Sequence, residues 1–125
     1  MKDWNVVGWF EIYVDNLDRA MSFYRDVFQH GDFEQIDMGE EKLAMFPADH
    51  KLPDTSGALV KSSNHAPGPG GTMVYFNSSD CSTEAGRAEE AGGKLIREKT
   101  AIGEHGFIAM IQDTEGNVIG IHSRD

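Results

Sequence analysis

Gly8-Trp9-Phe10-Glu11-Ile12-Tyr13-Val14-Asp15-Asn16 is the stretch that decides the fold. Its first seven residues alternate as a strand does. Trp9, Glu11 and Tyr13 point one way; Phe10, Ile12 and Val14 point the other. Both faces are largely apolar, so both are expected to be covered. Asp15 or Asn16 then caps a helix predicted over 17–28. Leu17, Ala20, Met21, Tyr24, Val27 and Phe28 fall at spacings of three and four and make one apolar stripe. His30-Gly31 is expected to end the helix, with the glycine supplying the left-handed stop. His30 there would suit the negative end of the helix dipole.

The same signature returns 64 positions later, pairing Asn16 with Asp80 and Trp9 with Met73. Thr72-Met73-Val74-Tyr75-Phe76-Asn77 reads as a strand, and Ser79-Asp80 opens a helix predicted over 82–91. That helix is Ala- and Glu-rich, with a weaker face of Ala85, Ala88 and Ala91, and ends at Gly92-Gly93. Further strands are expected at 33–36, 42–46 and 57–61 in the first half. Their counterparts in the second half are 94–99, 107–112 and 117–122, with a turn over 113–117. An internal repeat outranks other fold signals. The expectation is an α+β fold, one domain over 1–125, of two tandem β-α-β-β-β modules forming a curved mixed sheet around a cavity. The modules run over about 6–62 and about 71–123, joined by a Gly/Pro-rich linker at 63–71. A cavity lined by both modules is the expected ligand site.

The chain of 125 residues carries 21 acidic against 11 basic side chains, a net charge of −10. That balance argues against nucleic acid and anionic membranes as partners. An anionic substrate would need a local cationic pocket. No run of 18 apolar residues predicts a membrane span, and residues 1–5 carry no apolar signal-peptide core. The lone cysteine, Cys81, cannot form an internal disulfide, which fits a reducing cytoplasm. At the start of the second helix it reads as a small packing residue. Gly68-Pro69-Gly70-Gly71 lacks the spacing of a phosphate loop and reads as linker.

Three segments together resemble the glyoxalase/bleomycin-resistance/dioxygenase superfamily, also called the vicinal-oxygen-chelate superfamily. They are the strand-to-helix opening 10–20 with Phe23-Tyr24, the stretch Ala91-Gly92-Gly93-Lys94 and, strongest, the stretch 106–123 with Asp113-Thr114-Glu115-Gly116-Asn117 before the last strand. The resemblance covers the whole chain and implies no one reaction. It implies metal ligands at a His near the start of each half's first strand and a Glu on a last strand. Here those positions fall on Trp9, Met73 and Gly120. Indole offers no free lone pair, thioether is soft, and glycine has no side chain. The expectation is therefore no metal and no other cofactor.

Glu11 is the leading candidate catalytic residue. It shares the strand face of Trp9 and Tyr13, where a carboxylate suits general-base work. The competing reading is a structural hydrogen bond. His122 is the second candidate, as an acid–base partner of Glu11; its plain reading is a strand-end histidine. Trp9, Tyr13, Met73, Tyr75 and Met110 are candidate ligand-binding residues, against a plain role in the core. His50, His65 and His105 fall in turn-like segments and read as solvated. Three function classes follow: a metal-independent lyase or isomerase acting on a small molecule, a non-catalytic small-molecule binding or sequestering protein, and a ferredoxin-like monooxygenase. The repeat weighs against the third. The resemblance implies a homodimer, which open sheet edges favour.

Overall fold

The computed structural model describes residues 4–114 and 116–125. Residues 1–3, part of the segment read for a signal peptide, and Glu115 in the predicted turn lie outside the described residues. The elements run β1 (Val7–Tyr13), α1 (Leu17–Phe28), β2 (Glu34–Asp37), β3 (Glu41–Met45), β4 (Gly57–Ser62), β5 (Thr72–Asn77), α2 (Cys81–Ala85), β6 (Lys94–Ala101), a 3-10 turn (Gly103–His105), β7 (Phe107–Gln112) and β8 (Val118–Ser123). The α+β class and the β-α-β-β-β order of each half are as the repeat predicts.

The chain forms two compact units. The first is Trp9–Met73; the second is Val74–Asp125 together with the described residues 4–8. Those N-terminal residues join the second unit through Asn77. The Asn77 N–H donates to the Val6 carbonyl at 2.8 Å, and its side-chain amide donates to the Asn5 carbonyl at 2.9 Å. Gly8 leaves room for that side chain, because a Cβ at Gly8 would collide with it.

In the first unit the strand order is β2-β3-β4-β1. β2 pairs antiparallel with β3, and β3 antiparallel with β4. β1 pairs parallel with β4, setting Glu11 beside Ala58 and Tyr13 beside Val60. A parallel return needs a crossover, and α1 is part of it. Asn16 caps α1 by accepting the Arg19 N–H at 2.9 Å. The helix lays Met21 on Ala44 and Leu59, with Ile12, Val14, Leu17, Ala20, Tyr24, Phe33 and Phe46 around them. Leu59 is fully buried, a burial that stabilises by about 1.5–3 kcal/mol. Phe10 lies on this side too, its ring 5.7 Å from that of Phe46.

The second unit repeats the scheme in the order β5-β8-β7-β6. β5 pairs parallel with β8, and the other two pairings are antiparallel. Cys81 and Ala85 of α2 pack on Ala109 and Ile121, flanked by Leu95, Phe107 and Ile111. The shift of 64 that places Glu11 on Tyr75 carries the register with it: Glu11 faces Ala58, and Tyr75 faces Gly120.

Four local expectations need correction. α1 is stopped by Gln29, itself left-handed at φ 55°, and not by Gly31. His30 packs edge-on against the rings of Phe33 and Phe46, at 5.0 and 5.4 Å, and hydrogen-bonds its neighbour Gly31 rather than the helix carbonyls. The predicted helix over 82–91 is regular only for Cys81–Ala85. Beyond Gly86 the chain continues in tight turns, with Arg87 and Ala88 bonding back only three residues, as glycine's low helix propensity allows. The last turn of the α1 stripe is not buried either: Val27 and Phe28 are exposed, as is Phe23.

Candidate functional site

Strand alternation puts Trp9, Glu11 and Tyr13 on the face of β1 turned away from α1, and their side chains meet there. The Trp9 indole N–H donates to Glu11 Oε2 at 3.3 Å, and the Tyr13 hydroxyl donates to Glu11 Oε1 at 3.2 Å. One carboxylate thus collects two aromatic donors from its own strand. Beside it on β4 lies Ala58, small and fully buried. Met73 completes the group, with its sulfur 3.9 Å from the Tyr13 hydroxyl. That hydroxyl has a single proton. The carboxylate is the stronger acceptor, since bonds to charged groups are roughly twice as strong as neutral ones. Glu11 and Trp9 are half-buried; Tyr13 and Met73 are buried. A half-buried carboxylate flanked by indole, phenol and thioether can accept a ligand's hydrogen-bond donor, take a proton, or orient an apolar molecule against the rings.

Tyr13 is also held from the linker. The His65 imidazole stacks on its ring, centroids 4.4 Å apart and planes 21° from parallel. The Tyr13 N–H donates to the Gly71 carbonyl at 2.8 Å. His65 is therefore a half-buried member of this cluster, and the expectation of a solvated turn histidine is wrong for it. No spacing rule links His65 to Tyr13; their contact depends on how the linker returns.

The other predicted residues belong to the second unit. Tyr75 is buried, and its ring lies over Gly120, where a Cβ would stand. Met110 pairs in register with Gly120, so Tyr75, Gly120 and Met110 share the face turned away from Cys81 and Ala85. His122 is two residues further along β8. Its Nε2 lies 2.6 Å from the His105 carbonyl, so that nitrogen carries the proton and holds the 103–106 turn. This bond is a structural task, distinct from the acid–base pairing with Glu11 that the sequence suggested.

At the N-terminus of α2, Asp80 accepts hydrogen bonds from the Ser82 hydroxyl at 2.7 Å, the Lys99 ammonium at 2.9 Å and the Ser82 N–H at 3.0 Å. The Ser82 hydroxyl, then Lys99, then the Ser82 N–H hold the Asp80 carboxyl down at about 2. The Ser78 hydroxyl donates to Glu84 in the same turn. This is a cap built from paired side chains, and it accounts for the charge of Lys99.

The positions where the resemblance implies a metal do not fit one. The Trp9 nitrogen is occupied as a donor to Glu11, the Met73 sulfur faces a hydroxyl, and Tyr75 fills the space a Gly120 side chain would need. Among the described residues no group of three His, Cys, Asp or Glu side chains is placed to hold a metal ion.

The family model for the Glyoxalase/Bleomycin resistance protein/Dioxygenase superfamily matches residues 6–121. A search of curated proteins gives no match. Solved structures give many. A variant of Streptomyces coelicolor methylmalonyl-CoA epimerase in complex with 2-nitronate-propionyl-CoA is 14% identical, with a TM-score of 0.68 over 93% of this chain and 94% of that one. Methylmalonyl-CoA epimerase from Mycobacterium tuberculosis is 18% identical, with a TM-score of 0.65 over 96% and 88%. A hypothetical protein from Bacillus halodurans is 13% identical, with a TM-score of 0.70 over 95% and 94%. At these identities the likeness carries the fold and nothing finer.

The chain belongs to the glyoxalase/bleomycin resistance protein/dioxygenase superfamily, on the family match over nearly its whole length.

Proposed function

We propose that this superfamily member holds a small organic molecule on the Trp9–Glu11–Tyr13 face and isomerises it by proton transfer through Glu11. The observation that carries the reading is the convergence of two aromatic donors on one half-buried carboxylate. In the step envisaged, Glu11 takes a proton from a carbon next to a carbonyl. The C–H electron pair moves into an enolate; water then delivers a proton to the other face of the same carbon while Glu11 passes its own proton to water, so that the centre is inverted. No step passes through a metal. Trp9, Tyr13 and Met73 orient the ligand. His122 is left to its bond with His105.

The solved epimerases support isomerisation as the class of reaction. The net charge of −10 disfavours a polyanionic ligand such as a CoA ester and favours a neutral or cationic one. A second reading is binding without turnover. It is favoured by the two hydrogen bonds already made to Glu11, which suit recognition as well as proton transfer. A cytoplasmic location belongs to the same proposal, on the strength of the buried free thiol of Cys81. Among the described residues no helix is long and apolar enough to cross a membrane.

The test is Glu11→Gln, which keeps the shape and removes the charge and basicity. A panel of neutral carbonyl compounds is incubated in D2O with each protein, and uptake of deuterium next to the carbonyl is read by NMR. The proposal expects exchange catalysed by the wild type and lost in the variant, with the melting temperature little changed. Binding that weakens in the variant without any exchange by the wild type supports the second reading. Exchange and binding that are equal in both proteins remove Glu11 from the function.

A further inference from the structure

The linker between the halves grips Tyr13 from two sides. His65, near its start, covers the ring of Tyr13. Gly71, at its end, accepts the Tyr13 N–H. Between them the chain turns back on itself, the Gly71 N–H donating to the Gly68 carbonyl at 2.8 Å. The turn is tight: a Cβ on Gly71 would stand only 3.0 Å from Gly68 and Pro67 backbone atoms. Closer to its start, Asn64 donates to the Ser62 hydroxyl at 3.1 Å and fixes the chain leading into His65. The far end of the clamped ring carries the hydroxyl that reaches Glu11.

We propose that His65 is a positioning residue of the Glu11 site, its stacked imidazole holding the Tyr13 ring so that the phenol hydroxyl meets the Glu11 carboxylate. The linker is then part of the functional site and not only a connection. A phenol ring turns about two bonds, and a hydroxyl bond of 3.2 Å fixes that rotation weakly. A ring stacked on its face stops the turn. The inference rests on the reading of Glu11 as the working group, but it concerns the bond between Tyr13 and Glu11 and needs no ligand to test.

The experiment labels the full-length protein with tyrosine enriched in carbon-13 at Cζ, whose shift reports donation by the attached hydroxyl. The Tyr13 signal is assigned by its loss in Tyr13→Phe. Glu11→Ala marks where the signal goes when the acceptor is gone. His65→Ala is expected to move the signal most of the way to that position, and His65→Phe, which restores a flat ring, to return it. His65→Ala combined with Glu11→Ala should give little further shift, because both changes remove the same bond. Three results overturn the proposal: an unmoved signal in His65→Ala, a His65→Phe variant that behaves as the alanine does, or fully additive shifts in the double variant. The last would mean that the imidazole only stacks on the ring. Failure of the deuterium test with an intact clamp would remove the function of Glu11 and leave the positioning role of His65 standing.

Discussion

Gly120 shows how little freedom a single position has in this fold. The ring of Tyr75 occupies the place of a Cβ, so Gly120→Ala must push an aromatic side chain that is itself buried. Overpacking of this kind costs about 1–3 kcal/mol. Gly31→Ala is the control, since the nearest atom to its Cβ would be Pro47 at an ordinary 3.9 Å. Urea unfolding should show a clear loss for the first and almost none for the second. The Gly120 penalty should shrink in a Tyr75→Ala background, because the two positions are in contact. Asp80 makes a prediction about pH. Its carboxyl titrates at about 2 in the fold against 3.8 ordinarily. A lowered folded value means that the stabilisation is complete above the ordinary value and is lost as pH falls through 3.8 towards 2. The stability gap between wild type and Asp80→Asn should therefore be constant near neutral pH and narrow across that window. A gap unchanged down to pH 2 would show that the charge of Asp80 contributes nothing.

At the scale of elements, the periodicities in the chain carried most of the fold. Residues two apart on β1 share a face by strand geometry alone, so the meeting of Trp9, Glu11 and Tyr13 was legible before any coordinates. The complementary face of Phe10, Ile12 and Val14 was legible for the same reason, and it packs on the α1 side. What could not be read was set by contacts distant in sequence. His65 finds Tyr13 only because the linker doubles back, and His122 is held by a carbonyl 17 residues away. α2 is shorter than its Ala/Glu-rich sequence predicts because the helix yields at Gly86 to tight turns. The core between α1 and its sheet is centred on Leu59 and Met21. Leu59→Ala should cost about 2–5 kcal/mol, as for other fully buried leucines, in thermal or denaturant melts. A loss below about 1 kcal/mol would mean that the α1 packing described is not what stabilises this unit.

For the whole molecule, the repeat predicted two units of one plan, and both carry it: a parallel first-to-last strand pair, two antiparallel neighbours and a helix on one face. The same plan uses its equivalent positions differently. Where the first unit sets Glu11 beside Ala58, the second sets Tyr75 beside Gly120. In each pair a small residue on the last strand stands beside a larger side chain on the first, a carboxylate in one unit and a phenol in the other. Assembly is the further expectation at this scale. β2 and β6 are edge strands with one strand partner each, and Phe23, Val27 and Phe28 are exposed on α1. Light scattering should give the mass of a homodimer; a monomer mass at all accessible concentrations contradicts it. The central claim, a ligand site worked by Glu11, is tested most directly by native mass spectrometry of wild type and Glu11→Gln, each exposed to the same small-molecule extract and desalted. The account predicts a small molecule retained by the wild type and lost from the variant, with both proteins melting at nearly the same temperature. Equal retention by the two, together with equal deuterium exchange, would contradict it.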